Sequence, residues 1–196
     1  MNKFNLENYW QLEIKSHLKA AEKTATALQQ NFEAVLNTCA QAIKSGNKIL
    51  FFGNGGSASD AQHLATELTV RYIDNRAAIA AIALTTDTSA LTATGNDLGF
   101  EHIFSRQIEA IGNKGDIAIA ISTSGKSPNI VKALEMARTK NLVTVGLSGR
   151  NGGDMPAICD HMLIVPSDIT SRIQEMHILL GHMLCGALEQ KLGLVS

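Results

Sequence analysis

The chain contains 196 residues, and its 17 basic and 18 acidic side chains give a formal net charge of −1. This length fits one domain, or one domain with a helical arm, and a hydrophobic content of 45% excludes a disordered or collagen-like chain. The balanced charge argues against a nucleic-acid partner, which needs a basic stripe, and no apolar run approaches the ~20 residues that cross a bilayer.

The N-terminal region has the composition of a helix, since residues 4–45 are rich in Ala, Leu, Glu, Gln and Lys and lack Pro and Gly. Its apolar residues recur at helical spacing, among them Leu18, Ala21, Ala25 and Leu28. Asn31 interrupts the pattern and is predicted to cap a second helix. We therefore predict a helical arm over residues 1–45 that serves oligomerisation, followed by one structural unit over residues 46–196.

Five short apolar runs follow the arm, and their cores do not alternate with polar residues. These runs are 48–52, 78–84, 116–121, 142–147 and 161–165. Continuous apolar runs suit strands that are buried on both faces. Helical segments lie between and after them, at 57–73, 87–112 with a break near Gly95 and Gly99, 127–140 and 170–192. The alternation predicts the α/β class, with a five-stranded parallel sheet between two layers of helices and ligands at the carboxyl ends of the strands.

Two loops at these carboxyl ends could hold an anion. Residues 53–60 follow the first run and are rich in glycine, whereas residues 122–128 follow the third run and are rich in hydroxyl groups. Both loops open a helix, whose unpaired N–H groups and partial positive charge attract anions. A single serine at a helix start is ordinarily a cap, but four hydroxyl residues among six favour anion binding.

Two nucleotide motifs match only in part. The pattern Gly53-x-Gly55-x-x-Ala58 resembles a dinucleotide fingerprint, but Asp74 precedes the second strand and Asp87 lies too far along the chain to bind the ribose. The sequence Gly125-Lys126-Ser127 resembles a P-loop, but Ala120 stands where the first glycine belongs. No nucleotide cofactor is therefore expected.

Candidate acid, base and metal-binding groups lie on two predicted helices. His63, Glu67 and Arg71 are four residues apart and share one helix face, and the last helix carries Gln174 and His182. This set suits either a divalent metal or an acid/base pair. Two ordinary alternatives remain open, namely an ion pair between Glu67 and Arg71 and a His63 without a specific role. His182 lies among apolar residues, where a polar side chain needs a partner.

The segment after the second run is dense in polar residues and glycine. Asn96 and Asp97 could hydrogen-bond sugar hydroxyls, or they could serve local turn chemistry. Both interpretations remain open from the sequence.

The cysteines and the charge content bear on compartment and assembly. Cys39, Cys159 and Cys185 are scattered and form neither a disulfide framework nor a CxxC zinc pattern. The chain also begins without an apolar secretory core, so we expect a cytoplasmic protein. Charged residues make up 18% of the chain, against roughly 25% on average, which favours an oligomer with covered surface.

Five motifs are specific together, although no single one is. They are Gly53-Asn54-Gly55-Gly56-Ser57, His63-x3-Glu67-Leu68-Thr69-x-Arg71-Tyr72, Gly95-Asn96-Asp97-x-Gly99-Phe100, Ile121-Ser122-Thr123-Ser124-Gly125-x-Ser127 and Arg172-Ile173-Gln174-Glu175-x-His177-x4-His182. With them the chain resembles the sugar isomerase (SIS) domain family and, within it, the phosphoheptose isomerases. The resemblance covers residues 45–192 strongly and the N-terminal helices loosely.

This resemblance implies a homotetramer built by the N-terminal helices, with active sites between subunits. It implies that the substrate phosphate is held by Ser122, Thr123, Ser124 and Ser127. It implies contacts to the rest of the substrate from Asn54, Gly55, Gly56, Ser57, Glu67, Asn96, Asp97 and Gln174. It implies Glu67 and His182 as the catalytic pair. It also implies zinc, one ion per subunit, with the ligands His63, Glu67, Gln174 and His182.

The implied reaction converts sedoheptulose 7-phosphate to D-glycero-D-manno-heptose 7-phosphate through an enediol, the first step toward the heptose of the bacterial lipopolysaccharide core. A carboxylate base and a histidine suit this chemistry. One position departs from the pattern, because Ser171 stands where some members carry Asp. The alternative is a relative of the same fold that binds the bacterial replication initiator without isomerase activity. That relative lacks residues matching Glu67 and His182, so their presence here favours the enzyme.

Overall fold

The computed structural model describes residues 4–195, in which five parallel strands form one sheet with the order β2-β1-β3-β4-β5. The strands are β1 (Ile49–Gly53), β2 (Ala81–Ala83), β3 (Ile117–Ile121), β4 (Val143–Gly149) and β5 (His161–Val165). All four pairs of neighbouring strands run parallel. The predicted α/β class and five-stranded parallel sheet are confirmed.

Six α-helices flank the sheet within the described residues. They are α1 (Leu6–Lys44), α2 (Gly56–Thr69), α3 (Thr88–Asp97), α4 (Ser105–Ile111), α5 (Pro128–Thr139) and α6 (Thr170–Lys191). Short 3-10 turns occupy Phe100–His102 and Met155–Ala157. The predicted break near Gly95 and Gly99 is confirmed, because α3 ends at Asp97 and α4 begins at Ser105.

Two hydrophobic cores lie on opposite faces of the sheet. In β1, Ile49 and Phe51 pack in a core with α1, α2 and α6, whereas Leu50 and Phe52 pack in a second core with α4 and α5. Successive side chains of a strand point to opposite faces, so a strand covered on both faces must be apolar throughout. This burial explains the uninterrupted apolar runs of the sequence.

The N-terminal arm is one helix, so the prediction of two helices separated at Asn31 was wrong. α1 spans 39 residues, about 58 Å at 1.5 Å per residue. The Asn31 side chain does not cap a helix but donates a hydrogen bond to the carbonyl of Met162 in β5. With no Gly or Pro inside it, α1 continues and covers the edge of the sheet. Neither α1 nor any other helix in residues 4–195 has a long enough apolar stretch to cross a membrane.

The second strand is shorter than its apolar run predicted, since β2 contains Ala81–Ala83 and not 78–84. β2 is an edge strand, and its central residue Ile82 is 40% exposed. The N–H of Ile79 donates to the carbonyl of Leu68 at the end of α2. The start of the run is therefore bonded to a helix terminus and does not join the ladder.

A buried hydrogen-bond chain joins α6 to the loop after β3. The Nε2 atom of His177 lies 3.1 Å from the carbonyl oxygen of Ser148, and the Ser148 hydroxyl donates to the carbonyl of Ser122 at 2.8 Å. The Nδ1 atom of His177 is buried without a partner. Burial lowers the pKa of His177 from 6.5 to about 4, although the hydrogen bond to Ser148 opposes the shift.

We expect the free energy of unfolding to fall as the pH drops from about 6.5 toward 4. In that window the unfolded chain protonates His177 and the folded chain does not, so acid favours unfolding. The titration of His177 should lower the free energy of unfolding by about 2 kcal/mol at pH 5 relative to pH 7. His177→Gln keeps an N–H donor and removes the titration, so the stability advantage of the wild type over the variant should shrink by that amount at pH 5. Urea unfolding at the two pH values measures the advantage, and a constant value would contradict the prediction.

Candidate active site

The two predicted anion loops lie side by side. β1 and β3 pair in register up to Gly53 and Ile121, so both strands end at the same edge of the sheet. The side-chain amides of Asn54 and Asn129 then exchange two hydrogen bonds of 2.8 and 2.9 Å. Since Asn54 precedes α2 and Asn129 lies in the first turn of α5, this pair joins the starts of the two helices.

The hydroxyl-rich loop leaves part of its hydrogen-bonding capacity unused at the start of α5. Ser122 and Ser124 accept backbone N–H bonds from within the loop, at 3.2 and 3.3 Å. Ser127 occupies the N-cap position, yet its side chain makes no capping hydrogen bond. The ordinary capping role therefore does not account for Ser127, whose hydroxyl at the start of α5 is placed to bind an anion.

Glycine backbone holds this loop in place. Gly125 has a φ of +64°, and a Cβ there would overlap the carbonyl oxygen of Gly152. The N–H of Asp154 donates to the carbonyl of Gly125 at 3.0 Å. Beside the loop opens a cavity of about 500 Å³, lined by Asn54, Phe100, Glu101, Ser127, Pro128, Asn129 and Lys132. The loop is thus backed by protein on one side and open on the other.

The start of α2 is also uncapped, and it contacts α6. Gly55 has a φ of +56°, which favours glycine, and offers no side chain to cap the helix. A Cβ on Gly56 would lie 2.8 Å from the Nε2 atom of Gln174. Ser57 is buried in the first turn of α2. The structure therefore brings Gln174 to the glycine-rich loop, and glycine at position 56 makes room for it.

Farther along the same two helices, three polar side chains meet. The Nε2 atoms of His63 and His182 lie 2.8 Å apart, and His63 Nε2 lies 3.2 Å from Oε1 of Glu67. One ligand atom from each of the three side chains falls within 4.8 Å of the others. Glu67 and His182, which come from different helices, therefore belong to one cluster.

This cluster suits a proton or a cation. Two imidazole nitrogens at 2.8 Å repel unless one carries a hydrogen or both face a positive charge. Two imidazoles and a carboxylate are the donors of many divalent metal sites. The donor set therefore fits zinc, and it equally allows a shared proton.

The structure rules out the ion pair between Glu67 and Arg71, and it places Asn96 and Asp97 away from the two loops. α2 ends at Thr69, so Arg71 lies beyond the helix and the predicted i,i+4 pair with Glu67 is absent from the ion pairs of the described chain. Asn96 and Asp97 are exposed at the end of α3, where the Asn96 amide donates to the Asp97 carboxylate at 2.7 Å. Neither residue hydrogen-bonds to the two loops within residues 4–195.

Sequence reasoning missed three residues near these groups. Asn129 was not singled out from the sequence, although its place directly after the hydroxyl-rich loop was a signal. The ring of Tyr72 lies 5.6 Å from that of His182, which no spacing pattern indicates. Asp60 lies three residues before His63 on the same helix face; burial raises the pKa of its carboxyl, while the imidazoles of His63 and His182 oppose the shift.

The class of protein follows from a family model. The model of the SIS domain matches residues 10–149, which is more than half of the chain. The matched region contains four of the five strands and both anion loops. The chain therefore belongs to the SIS domain family.

Close relatives narrow the class. A phosphoheptose isomerase of Paramagnetospirillum magneticum is 55% identical over 177 residues, covering 90% of this chain and 92% of that protein. One from Campylobacter jejuni is 53% identical over 185 residues, covering 94% and 97%. The structure of phosphoheptose isomerase from Neisseria gonorrhoeae matches with a TM-score of 0.90 and 40% identity, covering 95% of this chain and all of that one. Within the SIS family the chain belongs to the phosphoheptose isomerases, and it is a sugar phosphate isomerase.

Proposed function

We propose that this isomerase converts sedoheptulose 7-phosphate to D-glycero-D-manno-heptose 7-phosphate through an enediol, and that this is the first step toward the heptose of the lipopolysaccharide core. The observation that carries the proposal is the meeting of Glu67 and His182, from two helices, in a cluster that lies along α2 from an open, hydroxyl-rich loop. The relatives described above support it by their names. They give no support to the alternative of a protein that binds the replication initiator.

In this proposal the loop after β3 anchors the phosphate, through Ser122, Thr123, Ser124 and Ser127. The uncapped first turn of α5 adds a partial positive charge at the same place. Such an anchor lies away from the reacting carbons, and its binding energy positions them.

The sugar chain then lies along the start of α2. Its hydroxyls are bound by Asn54, Gly55, Gly56, Ser57, Asn96, Asp97 and Gln174. From Gly56 to His63, α2 rises about 10 Å at 1.5 Å per residue. An extended seven-carbon sugar phosphate has a comparable length, so a substrate anchored at the loop reaches Glu67 with its C1 end.

The proton transfers need two groups. The Glu67 carboxylate removes a proton from C1 of the ketose and returns it to C2, which forms the aldose. His182 supplies a proton to the oxygen on C2 and accepts the one that leaves the oxygen on C1, through its Nδ1 atom, because its Nε2 atom faces His63 and would hold the zinc. The side chain of His63, 2.8 Å from His182 by their Nε2 atoms, orients that imidazole. No redox cofactor takes part.

We further propose one zinc ion per subunit, held by His63, Glu67, Gln174 and His182. When bound, zinc polarises the two substrate oxygens between which the carbonyl moves. Oε1 of Glu67 faces His63, which leaves the second carboxylate oxygen for the carbon-bound proton. The His/Glu/His donor set supports three of these four ligands, whereas Gln174, whose Nε2 atom lies against Gly56, is proposed as a ligand from the family resemblance alone.

We propose that residues 1–45 form an oligomerisation arm on a SIS unit of residues 46–196, and that four copies assemble with active sites between subunits. The N-terminal half of α1 exposes large apolar side chains, which are Leu6, Tyr9, Trp10, Leu12, Ile14 and Leu18. An apolar cavity of about 350 Å³ also lies between α1 and α6 and reaches Met183, next to His182. Exposed apolar patches of this kind mark subunit contacts, so a partner covering them would approach the active site. The three free cysteines fit our proposal of a cytoplasmic enzyme.

Purified protein should convert sedoheptulose 7-phosphate to the aldose, and Glu67→Gln should lower kcat by about 10²–10⁴-fold, because the amide cannot take the carbon-bound proton. A chelator should lower turnover of the wild type, and added zinc should restore it. A coupled aldose assay measures both effects. Absence of turnover by the zinc-loaded wild type would refute the substrate assignment, and near-normal activity of Glu67→Gln would refute the base.

Removing a loop hydroxyl should weaken substrate binding. We expect Ser124→Ala and Ser127→Ala each to raise KM roughly 10- to 100-fold, the magnitude of a lost hydrogen bond to a charged group. Thr139→Ala, an exposed position at the far end of α5, is the matched control and should leave KM unchanged. Steady-state kinetics and competition by non-phosphorylated sedoheptulose test the assignment. Equal binding of the two sugars would count against a phosphate site.

Light scattering should give a mass four times the 21.0 kDa of one chain. Leu18→Lys, which places a charge on the exposed apolar face of α1, should shift the protein to smaller species because the charge would be buried in the contact. Ile111→Lys changes an equally apolar but partly exposed residue of α4 and should leave the tetramer intact. A monomer-sized wild type would overturn the proposed assembly.

A further inference from the structure

A buried ion pair joins the end of the α2 region to α6. The side chain of Arg76 is 0% exposed and that of Glu189 is 3% exposed, and their Nε and Oε1 atoms lie 2.8 Å apart. Neither residue belongs to the site proposed above. Burying both charges is costly unless further hydrogen bonds satisfy them, so their remaining partners show what the pair fixes.

The Arg76 guanidinium also binds the last turn of α2. Its Nη2 donates to the backbone carbonyl of Glu67 at 2.7 Å, and its Nη1 donates to the carbonyls of Leu68 and Ala77 at 2.7 and 3.0 Å. Cationic groups are favourable at a helix C-terminus, where carbonyls lack intrahelical partners. The rigid planar fork of Arg thus holds the backbone of the residue that is proposed as the base.

Glu189 holds the same segment from α6. It lies seven residues after His182, two turns along the same face of the helix. Its Oε1 accepts from the N–H of Tyr72 at 3.1 Å. The Tyr72 ring packs near the His182 ring, and a Cβ on Gly186 would come 3.1 Å from Tyr72 Cε1. The segment after α2 is therefore pressed onto the helix that carries His182.

Near the middle of α2 a further close contact with α6 is apolar. A Cβ on Gly181 would lie 2.6 Å from the methyl carbons of Leu64, so the helices pack closely there. Apolar burial is non-directional and sets the axial position of one helix on another less strictly than directed hydrogen bonds do. The ion pair supplies those directed bonds, at the end of α2 where Glu67 lies.

We propose that Arg76 and Glu189 are positioning residues, a buried clamp that fixes the last turn of α2 on α6 and thereby sets the separation of Glu67 and His182. This inference rests on the active site proposed above. A buried ion pair adds little stability over apolar side chains of similar size, while it can specify a unique arrangement. Replacing both charges should therefore preserve folding and loosen the site.

The test compares three variants with the wild-type protein. Arg76→Met/Glu189→Leu removes both charges, and Glu189→Gln removes one charge with the shape kept. Asp116→Asn is the matched control, because Asp116 is 1% exposed, pairs with Lys48 and joins the amino ends of β1 and β3 without contacting α2 or α6 through this pair. Each protein is assayed for kcat and KM with sedoheptulose 7-phosphate, for zinc affinity by chelator competition and for thermal unfolding.

We expect kcat of both clamp variants to fall roughly 10- to 100-fold, as a displacement of about 1 Å at a reacting group does. Their KM should change less than about threefold, because neither Arg76 nor Glu189 contacts the loop that is proposed to bind the phosphate. Their zinc Kd should rise about 10-fold or more. Asp116→Asn should lower the unfolding temperature with kcat and zinc Kd unchanged. A folded double variant with wild-type kcat and zinc Kd would overturn the clamp, as would an equal loss of kcat in Asp116→Asn.

Two further measurements separate this inference from the proposed function. If the wild type does not turn over the sugar, the proposed function fails, and zinc Kd still decides the clamp because it needs no substrate. Crystal structures of wild type and Glu189→Gln decide it without substrate or metal. The separation of the Glu67 carboxylate and the His182 imidazole, whose ligand atoms lie within 4.8 Å of each other in the parent chain, should widen in the variant. An unchanged distance would overturn the proposal, even where the double variant fails to fold.

Discussion

Parallel pairing of β1 with β3 is the constraint on which the site depends. The two strands end together at Gly53 and Ile121, and each is followed by a helix. Two helix N-termini therefore open at one edge of the sheet, where their partial positive charges add. The paired amides of Asn54 and Asn129 hold these termini side by side. A sheet in which these strands were not neighbours would separate the two loops and leave neither with a partner.

The other polar groups of the candidate site lie along α2 and α6, at two separate positions. Gln174 contacts the start of α2, whereas His182 meets His63 and Glu67 two turns farther on. In the proposed function, an anion held at the loop and a reaction at the cluster would therefore be separated by about two turns of α2. In the proposed function, this separation would let the phosphate bind tightly without crowding the groups that exchange protons.

Sequence patterns predicted the strands that are buried on both faces, and they were less accurate for the edge strand β2 and for the N-terminal helix α1. The runs at β1, β3 and β5 were placed within a residue or two, because burial on both faces demands continuous apolar residues. The edge strand β2 was overestimated, since Ile79 is apolar but bonds to the end of α2. The division of α1 at Asn31 was wrong because an amide that contacts β5 resembles a helix cap in the sequence. In each case a tertiary contact competed with the local pattern.

The sequence by itself determined the class of fold, the two loops and the polar residues at helical spacing, because these depend on local periodicity and on residue chemistry. The resemblance to a known family predicted that these loops and residues form one active site. Only the tertiary structure decided which distant groups meet: His63 with His182, Asn54 with Asn129, and Arg76 with Glu189. Such pairs are separated by 75 residues or more in the chain. No local pattern encodes them, since they arise from the packing of whole helices on the sheet.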